Sequence, residues 1–364
     1  MKVLVSVFNN LYTDQRVEKV CQTLYDNGFQ PQLIGNNWGG LPEMERPYPF
    51  ARLILKSTVL RFAYVEFQRK LYIDLLNKAD KNTILLSNDL DTLLPNYLIS
   101  KKLNIPLVFD SHEIFTEMPS VNGRFVQRIW RSLETFILPK LNYMMTASES
   151  YAHWFEKNYN VEKAVVIQNF PRKVDNPQNY GESHSKKIIL YQGVINPSRG
   201  LDKIIPAMKN IKAELWIAGD GPVKENLVQL TKTLQLQNQV VFLGKLLPQK
   251  LREITKQADV GLSIEENEGL SYYLSMPNKI SDYIQARIPV VVSDFPEMRK
   301  VVDHFQAGEK IASYAELPEK INKVLMKGKR YYENALNNAA DELCWEKEEP
   351  KIIDLFRRVV KENF

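Results

Sequence analysis

Short apolar runs alternate with helical patterns along almost the whole chain, and this alternation limits the possible folds more than any other feature of the sequence. The runs are continuous, as in strands that are buried on both faces of a parallel sheet. In the first half they occupy residues 3–8, 83–87, 106–109, 143–146 and 164–167. A second series begins at residues 187–192 and continues to residues 288–293. Parallel strands with crossover helices form doubly wound sheets, so the sequence predicts an α/β protein with two such domains.

A polar segment separates the two series. Residues 171–186 contain Pro177 and Gly181 but few apolar side chains, which is typical of a linker. A length of 364 residues also suggests about two domains. We therefore expect an N-terminal domain over residues 1–170 and a C-terminal domain over residues 187–345. The amphipathic pattern of residues 346–364 predicts a final helix that packs back toward the N-terminal domain.

Composition excludes several classes of protein. Hydrophobic residues make up 44% and charged residues 25% of the chain, as in soluble globular proteins. The sequence shows neither a signal-peptide pattern nor an apolar run long enough to span a bilayer. The two cysteines, Cys21 and Cys344, lie far apart and fit a reducing compartment, so we expect a cytoplasmic protein. The net charge of +5 selects no partner, and no basic stripe with stacking aromatics indicates nucleic acid.

Residues 275–294 read as a loop, a helix and a buried strand, and they carry a candidate anion site. Pro277 suits the first position of a helix, whose free amides and dipole favour a phosphate. Asn278 and Lys279 precede Asp282 by four and three residues, so the three share one helix face. A phosphate site, a cation and a carboxylate together suit a nucleotide. The alternative is an ordinary capped helix that leads into a core strand.

Short motifs follow one another at strand ends along the chain. They are Asp14-Gln15-Arg16-Val17, residues 107–115, Gly193 through Arg199-Gly200, Gly219-Asp220-Gly221-Pro222, and residues 275–294. In this order they resemble the retaining glycosyltransferases of glycosyltransferase family 4. The resemblance covers nearly the whole chain. It implies the GT-B fold, in which two Rossmann-like domains face each other across a cleft.

The resemblance also implies an activity. Such an enzyme moves a sugar from a nucleoside-diphosphate-sugar donor, bound by the C-terminal domain, to a hydroxyl acceptor on the side of the N-terminal domain. A role in cell-surface polysaccharide or glycolipid assembly, with a glycan or lipid-linked acceptor, follows from the resemblance and not from any motif. A retaining reaction of this kind lets the departing phosphate oxygen take the proton of the acceptor.

The resemblance assigns the donor's diphosphate to residues of the C-terminal domain. In the loop that follows the first strand, Gly193 matches the family's glycine, while Val194 replaces an Arg and Arg199 replaces a Lys. Arg199 is therefore the first candidate for the diphosphate, because its planar fork matches paired oxygens. Lys279 supplies a second cation, and the amides near Asn278 complete the predicted site.

The two glutamates of the family pattern are both altered here. Asp282 stands at the second Glu and is expected to hold the ribose hydroxyls. Leu274 stands at the first Glu, and Arg287 replaces the usual Gly. Glu266 or Glu268 in the preceding loop could supply the missing carboxylate.

His112 follows a strand of the N-terminal domain, where the resemblance implies a contact with the donor sugar. It joins Arg199 and Lys279 as the predicted catalytic residues. The alternative is a structural histidine that Asp110 or Glu113 orients.

Two other acidic motifs in this domain have simpler interpretations. Asp89 and Asp91 imitate the Asp-x-Asp metal motif of the other major glycosyltransferase fold. No second cluster of hard oxygen ligands is evident, so we predict a metal-independent reaction with no cofactor. Asp14 suits the cap of the helix in which Arg16 lies, with an acceptor-side role for both as the alternative.

Aromatic and cationic residues concentrate in residues 48–76, and Arg124, Arg128 and Arg131 follow at helical spacing. One interpretation is a surface for anionic lipid headgroups or a lipid-diphosphate acceptor, at the inner face of the membrane. The other is a set of core aromatics with solvated charges.

Two further functions fit the same patterns. Sugar-nucleotide epimerases share the two-domain fold and would convert the donor without any acceptor. The departures at Leu274 and Val194 also suit a non-catalytic partner subunit that binds a sugar nucleotide without turnover. The sequence defines neither the base, the sugar, the acceptor nor the linkage.

Overall fold

The computed structural model describes residues 1–161, 164–174 and 186–364, which form two compact units. One unit comprises Met1–Asn169 with Glu348–Phe364, and the other comprises Phe170–Lys347. Most of the predicted linker, including Pro177 and Gly181, lies outside the described residues.

In the described part of the chain, the first unit contains a parallel seven-stranded sheet in the order β3-β2-β1-β4-β5-β6-β7. Its strands are β1 (Lys2–Ser6), β2 (Gln30–Asn36), β3 (Phe50–Leu53), β4 (Thr83–Asn88), β5 (Leu107–Ser111), β6 (Tyr143–Thr146) and β7 (Val165–Val166). The helices are α1 (Gln15–Asp26), α2 (Leu60–Lys78), α3 (Leu90–Leu103), α4 (Phe125–Ile137) and α5 (Glu149–Tyr159).

The second unit contains a parallel six-stranded sheet, again counted over described residues, in the order β10-β9-β8-β11-β12-β13. Its strands are β8 (Lys187–Gln192), β9 (Ala213–Ala218), β10 (Val240–Gly244), β11 (Val260–Ser263), β12 (Val290–Ser293) and β13 (Gly308–Ile311). The helices are α6 (Leu201–Ala207), α7 (Lys224–Thr233), α8 (Pro248–Gln257), α9 (Leu270–Tyr273), α10 (Asn278–Gln285), α11 (Pro296–Phe305), α12 (Leu317–Tyr331) and α13 (Glu333–Glu342). The last helix, α14 (Trp345–Asn363), begins here, and its residues from Glu348 onward belong to the first unit.

The two sheets share one winding pattern, which confirms the predicted doubly wound α/β fold. In the first unit β1 lies beside β4, and in the second unit β8 lies beside β11. At these points the chain reverses the direction in which it adds strands. Ligands of such sheets bind beyond the carboxyl ends of the strands at this reversal. The loops that follow β1, β4, β8 and β11 are therefore where a site is expected.

Tyr283 fixes α10 against the second sheet. Its ring lies on Gly261 of β11, where an added Cβ would come within 2.4 Å of a ring carbon. Its hydroxyl accepts a hydrogen bond from the backbone N–H of Gln192 at 3.1 Å and donates one to the carbonyl oxygen of Leu190 at 3.1 Å. Because both groups belong to β8, one buried side chain sets the height of α10 over the β8–β11 pair.

The structure differs from the sequence expectations in three strands and at one helix start. Strands β2, β3 and β13 are absent from the predicted set, because they contain polar residues, glycine or proline instead of a continuous apolar run. Pro277 was expected at the first helical position, but α10 begins at Asn278. Pro277 has φ −64°, which suits a helix, but its ψ of 130° is extended and leaves it just outside.

Candidate functional site

A buried carboxylate gathers two cations at the carboxyl end of β11. Lys279 Nζ lies 2.6 Å and Arg199 Nη1 3.6 Å from Oε1 of Glu265, whose side chain is 1% exposed. Ser263 Oγ donates to the other carboxylate oxygen at 2.8 Å. Burial opposes ionisation of Glu265, but Lys279 and Arg199 outweigh it and hold its pKa below the usual range. Glu265 is therefore a carboxylate that keeps two cations side by side.

Two tyrosine rings line this ion cluster. Lys279 Nζ lies 4.4 Å from the ring centroid of Tyr191, and Arg199 Cζ lies 4.9 Å from that of Tyr272. The face of an aromatic ring attracts a cation, so each ring favours the observed position of its partner. The Tyr191 hydroxyl also donates to the carbonyl oxygen of Val194 at 2.8 Å, which fixes the start of the loop that carries Arg199.

Close backbone contacts bring the loops of the site together. An added Cβ at Gly219 would lie 1.8 Å from the carbonyl oxygen of Gly193, so the two loops touch through a glycine. Gly200 has φ 70°, and its Cβ would lie 2.3 Å from the carbonyl oxygen of Ile264. L residues rarely adopt this conformation, and here a side chain would also meet backbone. Gly200 thus places Arg199 directly beside Glu265.

The structure brings three of the predicted donor residues together and places two others nearby on α10. Gly193 and Lys279 are neighbours, since a Cβ on Gly193 would lie 3.8 Å from Lys279 Cε. Asn278 is exposed at the first position of α10. One turn further, Asp282 accepts from Gln192 Nε2 at 3.1 Å, at the carboxyl end of β8.

Glu265 is the residue that the sequence interpretation missed. Glu266 lies 3.7 Å from Lys203, and Glu268 is exposed, whereas Glu265 contacts both cations of the site. A signal did exist, because Glu265 comes two residues after a buried strand, at the edge where ligands bind.

A second polar cluster lies in the first unit, at the carboxyl end of β5. Asp110 is fully buried and accepts from Arg16 Nε at 3.0 Å and from Nη2 at 2.6 Å. Arg16 also donates to the carbonyl oxygen of Ile167. Burial opposes ionisation of Asp110, but Arg16 and His112 outweigh it and hold its pKa well below the usual range. Arg16 thus ties α1 to the sheet, and Asp14 caps α1 by accepting from Val17 N at 3.0 Å.

His112 is surrounded by hydrogen-bond acceptors from the carboxyl ends of β4 and β5. Its Nδ1 lies 3.2 Å from Asp89 Oδ2, and its Nε2 lies 3.2 Å from Asn88 Oδ1 and 3.4 Å from Asp110 Oδ2. Burial lowers the pKa of His112, but Asp89 and Asp110 outweigh it and raise the pKa to about 9. His112 is therefore a cation at neutral pH.

Asp89 and Asp91 belong to no metal-binding cluster of three or more such side chains in the described chain. Asp89 contacts His112, and Asp91 lies in the first turn of α3. Over residues 1–161, 164–174 and 186–364, no group of three or more His, Cys, Asp or Glu side chains is arranged to hold a metal ion.

Solved structures with the same architecture define the class of fold. The chain is similar to sucrose-phosphate synthase from Thermosynechococcus elongatus, with a TM-score of 0.81 and 13% identity over 100% of both chains. It is also similar to Anabaena HepE in complex with UDP-glucose, with a TM-score of 0.71 and 14% identity over 98% of this chain and 100% of that one. The fold is GT-B, as the sequence resemblance implied.

Sequence comparison adds a family match that falls on the second half of the chain. Residues 173–342 match the family Glycosyl transferases group 1. An uncharacterized glycosyltransferase of Methanocaldococcus jannaschii is 30% identical over 41% of this chain and 37% of its own length. The alpha-monoglucosyldiacylglycerol synthase of Streptococcus pneumoniae is 22% identical over 59% of this chain and 54% of its own length. The chain thus spans about a third to a half of these curated relatives.

Removal of the Glu265 carboxylate should destabilise the second unit. Glu265→Ala leaves the cation of Lys279, which is only 10% exposed, without its buried partner. Such losses cost about 3–5 kcal/mol of unfolding free energy, whereas exposed pairs contribute about 0–1 kcal/mol. Urea unfolding measures the loss in Glu265→Ala and in a control variant, Glu253→Ala. Glu253 is a suitable control because it pairs with Lys250 at 3.0 Å on the surface. Equal losses in the two variants would contradict the structural role of Glu265.

The His112 charge should make stability depend on pH. The folded state raises the pKa of His112 from 6.5 to about 9, so it binds this proton more tightly than the unfolded chain does. The stabilisation is therefore complete below pH 6.5 and is lost as pH rises through about 9. Urea unfolding between these values should show wild type losing stability relative to His112→Gln. Parallel pH curves for the two proteins would rule out the charged histidine.

Proposed function

We propose that the chain is a retaining glycosyltransferase that moves a sugar from a nucleoside-diphosphate-sugar donor to a hydroxyl acceptor. The observation that carries the proposal is the pair of cations, Arg199 and Lys279, that Glu265 aligns beside the strand reversal of a Glycosyl transferases group 1 domain. Two cations held side by side suit the two phosphates of a diphosphate. The UDP-glucose complex of the similar Anabaena protein supports this class of donor.

The cations act on the leaving group. As the glycosidic bond breaks, negative charge grows on the diphosphate, and Arg199 and Lys279 stabilise it without moving. The free amides at the start of α10, near Asn278, add the positive end of a helix dipole. Asp282 holds the ribose hydroxyls beside Gly193. These interactions require no metal ion.

His112 positions the donor sugar and does not act as a base. Both ring nitrogens already face protein acceptors, so a sugar hydroxyl would share one of the ring N–H groups. An imidazolium has no lone pair with which to accept a proton. The departing phosphate oxygen therefore takes the proton of the acceptor hydroxyl, which suits retention of configuration.

The acceptor side of the proposal rests on an exposed apolar surface of the first unit. Phe125 of α4 is 75% exposed, and Phe62 of α2 is 56% exposed. Tyr64 of α2 and Trp130 of α4 have ring centroids 6.0 Å apart, so the two helices are neighbours. The exposed apolar side chains of this surface also include Leu60, Val65, Val126, Ile129 and Phe136.

Cations accompany this surface, which favours an anionic membrane as its partner. The side chains of Arg61, Arg124 and Arg128 are exposed beside the apolar residues, while Arg131 pairs with Glu117. Basic helices with exposed aromatics bind anionic lipid at the interface. We therefore include a lipid-linked or glycan acceptor at the cytoplasmic face of a membrane, in glycolipid or polysaccharide assembly. In the part of the chain that the structure describes, no helix has the length and apolar character needed to cross a bilayer.

Kinetics should separate the cations from the ribose ligand. Arg199→Ala and Lys279→Ala should each lower kcat, because loss of a preorganised group that faces developing charge costs about 2.7–4 kcal/mol. Asp282→Asn should mainly raise the donor KM, since a ground-state hydrogen bond to a charged group contributes about 1.5–3 kcal/mol. The assays contain EDTA. Lys203→Ala is the control variant, because it removes a cation that pairs with Asp202.

One outcome would overturn the assignment of α10. If Asp282→Asn abolishes turnover while nucleotide affinity is unchanged, Asp282 is a catalytic group and not a ribose ligand. Loss of all activity in EDTA, with rescue by magnesium or manganese, would likewise refute the metal-independent mechanism.

Membrane binding should depend on Arg124, which immediately precedes α4, and on Arg128 of α4, neither of which forms an ion pair within the described part of the chain. Each cation near an anionic surface contributes about 1 kcal/mol of salt-sensitive attraction. Arg124→Ser and Arg128→Ser should therefore lower co-sedimentation with phosphatidylserine-containing vesicles more than Arg131→Ser does, and added salt should lower it in all proteins. No sedimentation at low salt would end the membrane proposal and leave the donor site untouched.

A further inference from the structure

Asp89, beside His112, has a strained backbone. Its φ of 58° and ψ of 169° lie in a region that essentially only glycine adopts. Three other residues with positive φ differ, because Asn104, Asn160 and Gln306 end helices with ψ of 53°, 38° and 31°. Those values belong to the left-handed helical region, which asparagine and similar residues tolerate. Strain of the kind seen at Asp89 persists only where surrounding contacts impose it.

The contacts of Asp89 show what imposes the strain. Its amide donates to the carbonyl oxygen of Asp110 at 2.9 Å. Its Oδ1 accepts from the backbone N–H of His112 at 2.9 Å, and its Oδ2 lies 3.2 Å from His112 Nδ1. An aspartate just before a helix usually caps it, yet among the described residues the Asp89 side chain makes no capping bond to α3. The carboxylate binds both the backbone and the ring of His112 instead.

The neighbouring residue fixes the charge of the ring. Asn88 Nδ2 donates to the carbonyl oxygen of Ser6 at 3.0 Å, so its Oδ1 is the atom that faces His112 Nε2. The Asp89 carboxylate is an acceptor at Nδ1. Two acceptors at the two nitrogens are both satisfied only when each nitrogen carries a proton. The other charged groups near the ring are Asp110, which favours the proton, and Arg16, which opposes it, together with Asp91.

We propose that Asp89 is a positioning residue that holds His112 in one orientation, protonated on both ring nitrogens, so that His112 acts as a hydrogen-bond donor and never as a base. This inference rests on the proposed function, because it concerns the histidine that the proposed function assigns to the donor sugar. The strained backbone is what brings the carboxylate within reach of both the amide and the ring. A relaxed aspartate at this position would cap α3 and leave the ring free to rotate and to lose a proton.

Two substitutions separate charge from strain. Asp89→Asn keeps the shape and removes the charge, and Asp89→Gly relieves the backbone but removes the carboxylate. NMR titration of the imidazole rings reads the pKa of His112 directly, since the chain has four histidines and His112→Gln identifies the signal. Both variants should lower this pKa by about one unit or more. Asp91→Asn is the matched control, because Asp91 is a buried aspartate nearby that, among the described residues, makes no hydrogen bond or ion pair with His112.

Activity and melting temperature complete the test. Turnover should fall about tenfold or more in both Asp89 variants, and the alkaline limb of its pH profile should move down with the ring pKa. Asp89→Gly should melt higher than a third variant, Asp89→Ala, because both lack the carboxylate and only glycine adopts the observed backbone freely. If turnover falls only in those variants whose melting temperature also falls, the role of Asp89 is structural and the inference is overturned.

The ring titration needs no substrate, so it also separates this inference from the proposed function. An unchanged His112 pKa in Asp89→Asn overturns the positioning role whatever the chain catalyses. A lowered pKa with unchanged turnover overturns it as well. If the His112 pKa is lowered but the protein binds no sugar nucleotide, the pairing of Asp89 with His112 is supported and the proposed glycosyltransferase function is refuted.

Discussion

The ion cluster at Glu265 is the interaction on which the candidate site depends. Lys279 lies on α10 and Arg199 lies on the loop after β8, and both place a positive charge in a region with little solvent. Two such cations would repel each other, and a buried charge without a partner is strongly destabilising. The Glu265 carboxylate pairs with both cations, which offsets their repulsion and the cost of their burial. The three side chains together then carry one net positive charge. The site is thus assembled before any ligand binds and still favours an anion.

Each unit has a buried carboxylate at the carboxyl end of an inner strand, Asp110 at β5 and Glu265 at β11, but the two serve different purposes. Asp110 and Arg16 have side chains 0% and 3% exposed, and their bidentate pair locks α1 to the sheet. The Arg199 side chain at Glu265 remains 21% exposed. A guanidinium that retains contact with solvent can also meet a phosphate, whereas one that is fully enclosed cannot. The same chemistry therefore gives a structural clamp in the first unit and a candidate binding site in the second.

The sequence predicts the central strands because a continuous apolar run is required where a strand is covered on both faces. The edge strands β3 and β13, and β2 beside β3, lack such runs, so only the surrounding sheet defines them. The motifs also indicate Arg199 and Lys279 as the cations of one site, and their role there stays a prediction. The sequence analysis misses Glu265 and interprets Asp89 only as part of a metal-like motif, because the partners of both residues lie 14 or more positions away in the chain. Pairings of that kind arise from loop geometry, which local patterns do not encode.

Calorimetric titration with a panel of nucleosides, nucleoside diphosphates and their sugar conjugates tests directly whether Arg199 and Lys279 bind the diphosphate of the donor. One nucleoside diphosphate should bind wild type, and Arg199→Ala and Lys279→Ala should each weaken this binding. The corresponding nucleoside, which has no phosphate, should bind wild type and both variants equally weakly. Equal affinity of the diphosphate for wild type and variants, or no binding by any member of the panel, would contradict the assignment of the cations to the donor.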